Sequence, residues 1–107
     1  MTLPTLHTLA DSPDAEGLVT MSDLRRLTDL LRCRYDVEAR YDSHGTWVLT
    51  FTVADRRYVL GTVRGRTRRW RQLEPALAFM HAHCGDSRTV RLCTDSWTFS
   101  RISPSDN

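Results

Sequence analysis

The chain contains no lysine: all fifteen of its basic residues are arginine. It also lacks any apolar run of the roughly 20 residues that a membrane-spanning helix needs. Its first residues combine neither a basic leader nor the apolar stretch that directs export. The three cysteines, Cys33, Cys84 and Cys93, are odd in number and widely spaced, which does not suggest a disulfide framework. These absences argue against a membrane or secreted protein and predict a cytoplasmic protein with free thiols.

No catalytic motif is present. The sequence has no nucleophile elbow, no glycine-rich phosphate loop, no zincin motif and no pair of carboxylates in a setting that would separate their pKa values. His81, His83, Cys84 and Cys93 are the side-chain types of a zinc site, but residues 81 and 83 would lie on different sides of a helix. A thiolate at Cys84 would stand near a helix C-terminus, where the dipole disfavours it. We therefore predict that the protein is not an enzyme and uses no metal or cofactor.

Length and charge indicate the domain organisation. A chain of 107 residues with 40% hydrophobic composition supports one domain with one core. Residues 1–23 carry four acids and no base, whereas residues 56–71 carry seven arginines and no acid, an asymmetry that the net charge of +2 conceals. We predict a flexible acidic leader at 1–18, a single α+β domain at 19–102 and a polar tail at 103–107.

Hydrophobic periodicity predicts both helices and strands. Leucines at helical spacing follow Ser22, which we expect to cap a helix that ends near Tyr35. The predicted fold is an antiparallel three- to five-stranded sheet with two helices packed on one face, in the order α-β-β-β-α-β with an optional last strand. The other predicted elements are strands at 37–42, 46–53 and 58–63, a helix at 73–84, and strands at 89–94 and 97–102.

The densest positive charge lies in the sequence RGRTRRWR at 64–71, which we call the arginine loop. It leads into the predicted start of the second helix, where backbone amides attract phosphate, and clustered arginines release counterions from a nucleic acid. An acidic protein partner fits the same charge, and a purely structural alternative is a solvated hairpin end with its tryptophan folded over the core. The candidate residues for binding nucleic acid or an anionic partner are Arg64, Arg66, Arg68, Arg69, Arg71 and Trp70.

Aromatic residues form a second candidate surface. Trp47, Phe51 and Tyr58 alternate with other residues on the predicted strands. Such a stripe is typical of a core, and it is also typical of sheets on which single-stranded nucleic acids stack their bases. The sequence leaves both interpretations open.

The element order over residues 22–84 resembles that of the double-stranded RNA-binding domain. That family also has basic residues where its third strand meets its second helix, and Arg64 to Arg69 stand at this place here. The chain departs from the family in opening its second helix with Leu73, Glu74 and Pro75 instead of lysines, and in its extra closing strand. The resemblance implies binding to a nucleic acid.

The segment TVRGRTRRWRQLEPALAFMHAHCG resembles the ParC-family partition-associated proteins of plasmids. The similarity consists of a strand, an arginine next to an aromatic residue, and a helix rich in leucine and alanine that ends in glycine. It implies a protein of a bacterial plasmid or other mobile element that acts by association. The residues that carry it are Arg69, Trp70, Leu73, Ala76, Leu77, Phe79 and Gly85.

The function expected from the sequence is that of a small non-catalytic accessory protein of a bacterial plasmid or mobile element, binding DNA or RNA through the arginine loop. The alternative is a protein–protein interaction module, such as an inhibitor of a host defence complex. Neither function involves a membrane. The last strand would also leave a sheet edge through which two copies could form a homodimer, although Arg88, Arg91 and Arg101 are edge charges of the kind that prevent such pairing.

Overall fold

The structure is a computed structural model that describes residues 17–94 and 97–100. Most of the predicted leader, at 1–16, and the segment 101–107 with the predicted tail lie outside the described residues. The described chain forms two α-helices and a six-stranded sheet, which confirms the predicted α+β class with two helices. Neither helix is long and apolar enough to cross a membrane. The elements are β1 (Gly17–Val19), α1 (Met21–Leu31), β2 (Tyr35–Tyr41), β3 (Trp47–Val53), β4 (Arg56–Leu60), α2 (Leu73–His83), β5 (Thr89–Cys93) and β6 (Thr98–Ser100).

The sheet is mixed, with strand order β1-β4-β3-β2-β5-β6. The pairs β2–β3, β3–β4 and β5–β6 are antiparallel, whereas β1–β4 and β2–β5 are parallel. The prediction of an antiparallel sheet with three to five strands is therefore wrong in strand number and in these two pairings. Both parallel pairings have one cause. The strands β2 and β4 run in the same direction. Helix α1 connects β1 to β2 and helix α2 connects β4 to β5, and each of these crossovers joins two strands that run in the same direction.

Helix α1 is delimited at both ends by specific residues. Thr20, not the predicted Ser22, is the N-cap: its hydroxyl accepts a hydrogen bond from the Asp23 amide (3.1 Å). The Asp23 carboxylate accepts one in return from the Thr20 amide (3.2 Å), which completes a capping box. At the other end Arg32 takes a left-handed conformation (φ 53°) and stops the helix before Tyr35, which begins β2 instead.

The strand β4 is shifted from the predicted range 58–63. The turn that precedes it is built from two residues with positive φ, Ala54 (51°) and Asp55 (68°), the conformation of a tight two-residue hairpin turn. The strand therefore starts at Arg56 and ends at Leu60. Beyond Leu60 the chain leaves the sheet, and Val63 is 93% exposed.

One hydrophobic core lies between the helices and one face of the sheet. Because side chains alternate along a strand, β3 presents Leu49, Phe51 and Val53 to this face, and these three are almost completely buried. Leu24 of α1 and Met80 of α2 belong to the same core cluster. Both helices therefore cover the same face of the sheet. The arginine loop lies in the connection between the end of β4 and the start of α2.

Candidate nucleic-acid interface

The arginine loop is held in a tight shape by its own backbone. After β4 the chain reverses direction, with the Thr62 amide donating to the Arg66 carbonyl (2.7 Å) and the Gly65 amide donating to the Thr62 carbonyl (2.9 Å). Gly65 has a φ of 83°, a conformation that glycine adopts without strain. The Arg68 amide then donates to the Leu60 carbonyl (2.9 Å), so the returning chain runs alongside the end of β4. The loop therefore presents its side chains from an ordered backbone.

Trp70 fastens the far end of the loop to the sheet. Its amide donates to the Trp47 carbonyl (3.0 Å), and the Trp47 amide donates to the Trp70 carbonyl (2.7 Å). Its half-buried ring packs against Phe79 of α2, with ring centroids 5.2 Å apart. Trp70 is thus an anchor of the arginine loop, and its ring is partly enclosed by the fold.

Arg69 ties the arginine loop to the turn between β2 and β3. Its Nη1 contacts the Asp42 carboxylate and donates to the Thr46 hydroxyl (3.2 Å). The buried Asp42 carboxylate also accepts hydrogen bonds from the amides of His44 and Thr46, each at 3.0 Å. Burial alone would raise the pKa of Asp42, but the hydrogen bonds from Thr46 and His44 and the charge of Arg69 outweigh it and hold that pKa below its usual value.

Arg64, Arg66 and Arg71 are exposed to solvent. Within residues 17–94 and 97–100, no carboxylate contacts their guanidinium groups. Arg88, next to β5, is different, because it forms a two-pronged contact with Asp36 (3.0 and 2.8 Å). The exposed guanidinium groups of the loop therefore keep their hydrogen-bond donors for a partner.

Arg68 lies over two aromatic rings. Its guanidinium carbon is 5.1 Å from the ring centroids of both Trp70 and Phe79, within the range of a cation–π interaction. The residue as a whole is exposed. Because the two rings contact the guanidinium without accepting conventional hydrogen bonds from it, Arg68 can be held in position and still donate to a phosphate.

The residues considered as metal ligands are not brought together. His81 and His83 are exposed, whereas Cys84 and Cys93 are buried. In the part of the chain that the structure describes, no group of three or more His, Cys, Asp or Glu side chains could hold a metal ion. Burial raises the pKa of the Cys84 thiol to about 11, so this thiol stays protonated at neutral pH. Cys84 belongs to the core cluster.

The geometry adds one residue that the sequence did not single out as a binding residue. Phe79 contacts both Arg68 and His83, with the Phe79 and His83 ring centroids 4.5 Å apart and the rings tilted by 40°. The one sequence signal for this pair is its spacing of one helical turn on α2. Asp42 gives no such signal, because it lies far along the chain from Arg69.

The six predicted binding residues fall into two groups. Arg69 and Trp70 anchor the arginine loop through contacts with the sheet and its turn, whereas Arg64, Arg66, Arg68 and Arg71 are exposed and contact no described carboxylate. This division rests on the geometry of the chain itself. Comparison of the chain with protein-family models, with curated proteins and with solved structures finds no match.

Proposed function

We propose that this chain is a small non-catalytic accessory protein that binds nucleic acid through the exposed arginines of the arginine loop. The observation that carries the proposal is that no carboxylate of the described residues contacts these arginines. Residues 56–71 contain no Asp or Glu. In the described chain no carboxylate contacts Arg64, Arg66, Arg68 or Arg71. Because the loop backbone is already ordered, binding costs little entropy beyond that of the side chains.

Arginines that contact phosphates position a protein on a nucleic acid without reading its sequence. The bound phosphates release counterions, so the affinity of such a protein falls steeply with salt. We therefore propose binding that depends on the backbone and on salt more than on base sequence. The resemblance of residues 62–85 to plasmid partition-associated proteins supports a role beside a partition or regulatory protein of a bacterial plasmid or other mobile element.

Replacing Arg64, Arg66 and Arg71 together by Gln is expected to weaken binding to nucleic acid by about tenfold or more at low salt. Each lost phosphate contact on duplex DNA removes about 0.9 from the slope of log K against log salt, so the slope should decrease in magnitude by about 2 to 3. Fluorescence anisotropy with labelled DNA and RNA, as duplexes and as single strands, across a salt series measures both quantities.

The matched control replaces Arg26, Arg56 and Arg91, which are also exposed, by Gln. This variant has the same net charge as the loop variant, and we expect it to keep most of the affinity and the slope of the wild type. Equal losses in the two variants would show that only net charge matters. A wild-type protein that binds none of these nucleic acids at low salt would refute the proposal.

The homodimer that the sequence left open is favoured by apolar surface at β6. Trp97 and Phe99 are 46% and 60% exposed, with ring centroids 4.4 Å apart. No described strand pairs with the outer side of β6, and Thr98–Ser100 carries no charge. Arg91, considered above as an edge charge, lies on β5, one strand inside the edge. We propose that this edge pairs with β6 of a second copy.

The variant Phe99→Asp is expected to be monomeric where the wild type is dimeric, because a two-fold pairing of β6 would place two like charges close together. Sedimentation velocity over a range of protein concentrations measures the association. Val63→Asp is the matched control, since Val63 is an exposed apolar residue outside β6. A wild type that stays monomeric at every concentration would exclude this pairing.

A further inference from the structure

A groove lies next to the arginine loop, between the start of α1, the end of β4 and one flank of α2. Its volume is about 460 Å³, within the roughly 300–1,000 Å³ typical of ligand sites. Met21, Leu60 and Val63 give it apolar walls, and Arg68, Phe79 and His83 line it with flat groups. We call this the interhelix groove.

The flat groups of the interhelix groove contact one another in series and form what we call the stack, in which the His83 and Phe79 rings are tilted by 40° to each other. The rings of His83 and Phe79 are 4.5 Å apart, and the guanidinium carbon of Arg68 lies 5.1 Å from the Phe79 centroid. His83 is exposed, and so is Arg68. Both outer members of the stack therefore offer surface to a further flat group.

The charge of the interhelix groove selects for an anionic occupant. None of its lining residues is an acid. Arg68 is in the lining itself, and Arg25 of α1 donates to the His83 carbonyl (3.4 Å). Arg64 is a second exposed arginine of the loop, and it follows the lining residue Val63 directly in the chain. The groove thus combines apolar walls, a stack of flat groups and cations at its edge.

We propose that the interhelix groove receives one unstacked base of a single-stranded nucleic acid, while Arg68 and Arg64 hold the phosphates beside it. This inference rests on the proposed function and adds a preference for single strands to it. A base offers the flat apolar surface that the stack can extend, and its phosphate offers the negative charge that the rim can neutralise. A duplex keeps its bases inside the helix, so it can reach the loop arginines but not the groove.

Trp47 and Phe51, the aromatic residues of β3, do not compete for this role. Phe51 is 0% exposed and Trp47 is 8% exposed, and both belong to the core cluster on the helix-covered face. Stacking of a base on them would require the helices to leave the sheet. The interhelix groove instead offers its stack from the outer surface.

The test compares three probes of one sequence: a short single strand, the same strand with abasic sites in place of its bases, and its duplex, each made as DNA and as RNA. We expect the wild type to bind the intact single strand about tenfold or more tightly than the abasic strand, in line with typical base–aromatic stacking. His83→Leu is expected to lose about that factor on the intact strand and little on the abasic strand or the duplex. His83→Phe, which keeps a flat ring, should recover the affinity.

His81→Leu is the matched control, because His81 is an exposed histidine on the same helix that does not line the groove. It should bind all probes like the wild type. Equal affinity of the wild type for intact and abasic strands would overturn the proposed groove function, and so would equal effects of His83→Leu and His81→Leu. If salt-dependent duplex binding persists in that case, the loop function stands and the groove proposal alone fails. Absence of binding to every probe at low salt overturns both, and the DNA and RNA arms identify which single strand is preferred.

Discussion

Replacing Asp42 by Ala is expected to lower the free energy of unfolding by about 2–3 kcal/mol. The Asp42 side chain is 1% exposed, and its removal takes away the carboxylate that accepts from the amides of His44 and Thr46 and pairs with the guanidinium of Arg69. Arg69 keeps some access to water, which places the expected loss below that of a fully buried ion pair. Urea unfolding followed by tryptophan fluorescence measures the change.

Asp36→Ala is the control for the Asp42 prediction. Asp36 also pairs with an arginine, Arg88, but the Arg88 side chain is 63% exposed. Water and salt screen exposed pairs so that they contribute little, and this variant should therefore be clearly more stable than Asp42→Ala. If both variants lost the same stability, burial of the Asp42 carboxylate would not be the cause.

The stabilisation by Asp42 also has a defined pH dependence. Because its pKa in the folded protein is lowered from the usual value of about 3.9, the ionised carboxylate stabilises the fold fully above that usual value. The stabilisation disappears as the pH falls through the lowered pKa. The difference in unfolding free energy between the wild type and Asp42→Asn should therefore be constant from neutral pH to about 5 and shrink at lower pH. If the difference in unfolding free energy between the wild type and Asp42→Asn stayed the same in strong acid, the stabilising role of the ionised Asp42 carboxylate would be contradicted.

Elements with a clear hydrophobic period were predictable from the sequence, and those defined by distant partners were not. The strand β3 has an apolar residue at every second position from Trp47 to Val53, and α2 has Pro75 in its first turn and Gly85 after its end, so both lie near their predicted positions. The strand β1 consists of Gly17–Val19, which is too short to show a period, and it exists because it pairs with β4. Its parallel pairing depends on the direction that the crossover helix imposes, which no local pattern encodes.

The sequence predicted which residues belong to the candidate site, but not the role of each residue in it. The arginine loop is the most basic segment of the sequence, and its Arg64 and Arg66 are exposed, as expected for residues in a turn. The commitment of Arg69 to Asp42 is a tertiary contact that depends on how the loop returns to the sheet. The same holds for the stack of Arg68 on Phe79, because charge density indicates where cations are and not what they lie against.

The largest loss of stability is expected for Phe51→Ala, about 3–5 kcal/mol. Phe51 lies at the centre of the core with 0% exposure, and its ring meets the ring of Tyr35 edge-on at 5.8 Å. The substitution would leave a cavity under both helices that the β3 backbone cannot close. A domain of this size is stable by about 5–15 kcal/mol, so the variant should unfold at a much lower urea concentration.

The same variant decides between the two interpretations of the strand aromatics. If Phe51 stacked against bases, Phe51→Ala would lose affinity for single strands under conditions in which it is still folded. We expect the opposite: the folded variant keeps the single-strand affinity of the wild type, because Phe51 is enclosed beneath α1 and α2. Phe51→Leu, which retains most of the volume, should lose only about 1 kcal/mol and gives a well-folded sample for the binding measurement. If Phe51→Leu bound single strands more weakly than the wild type with the same salt dependence, the aromatic residues of the sheet would be the base-stacking surface.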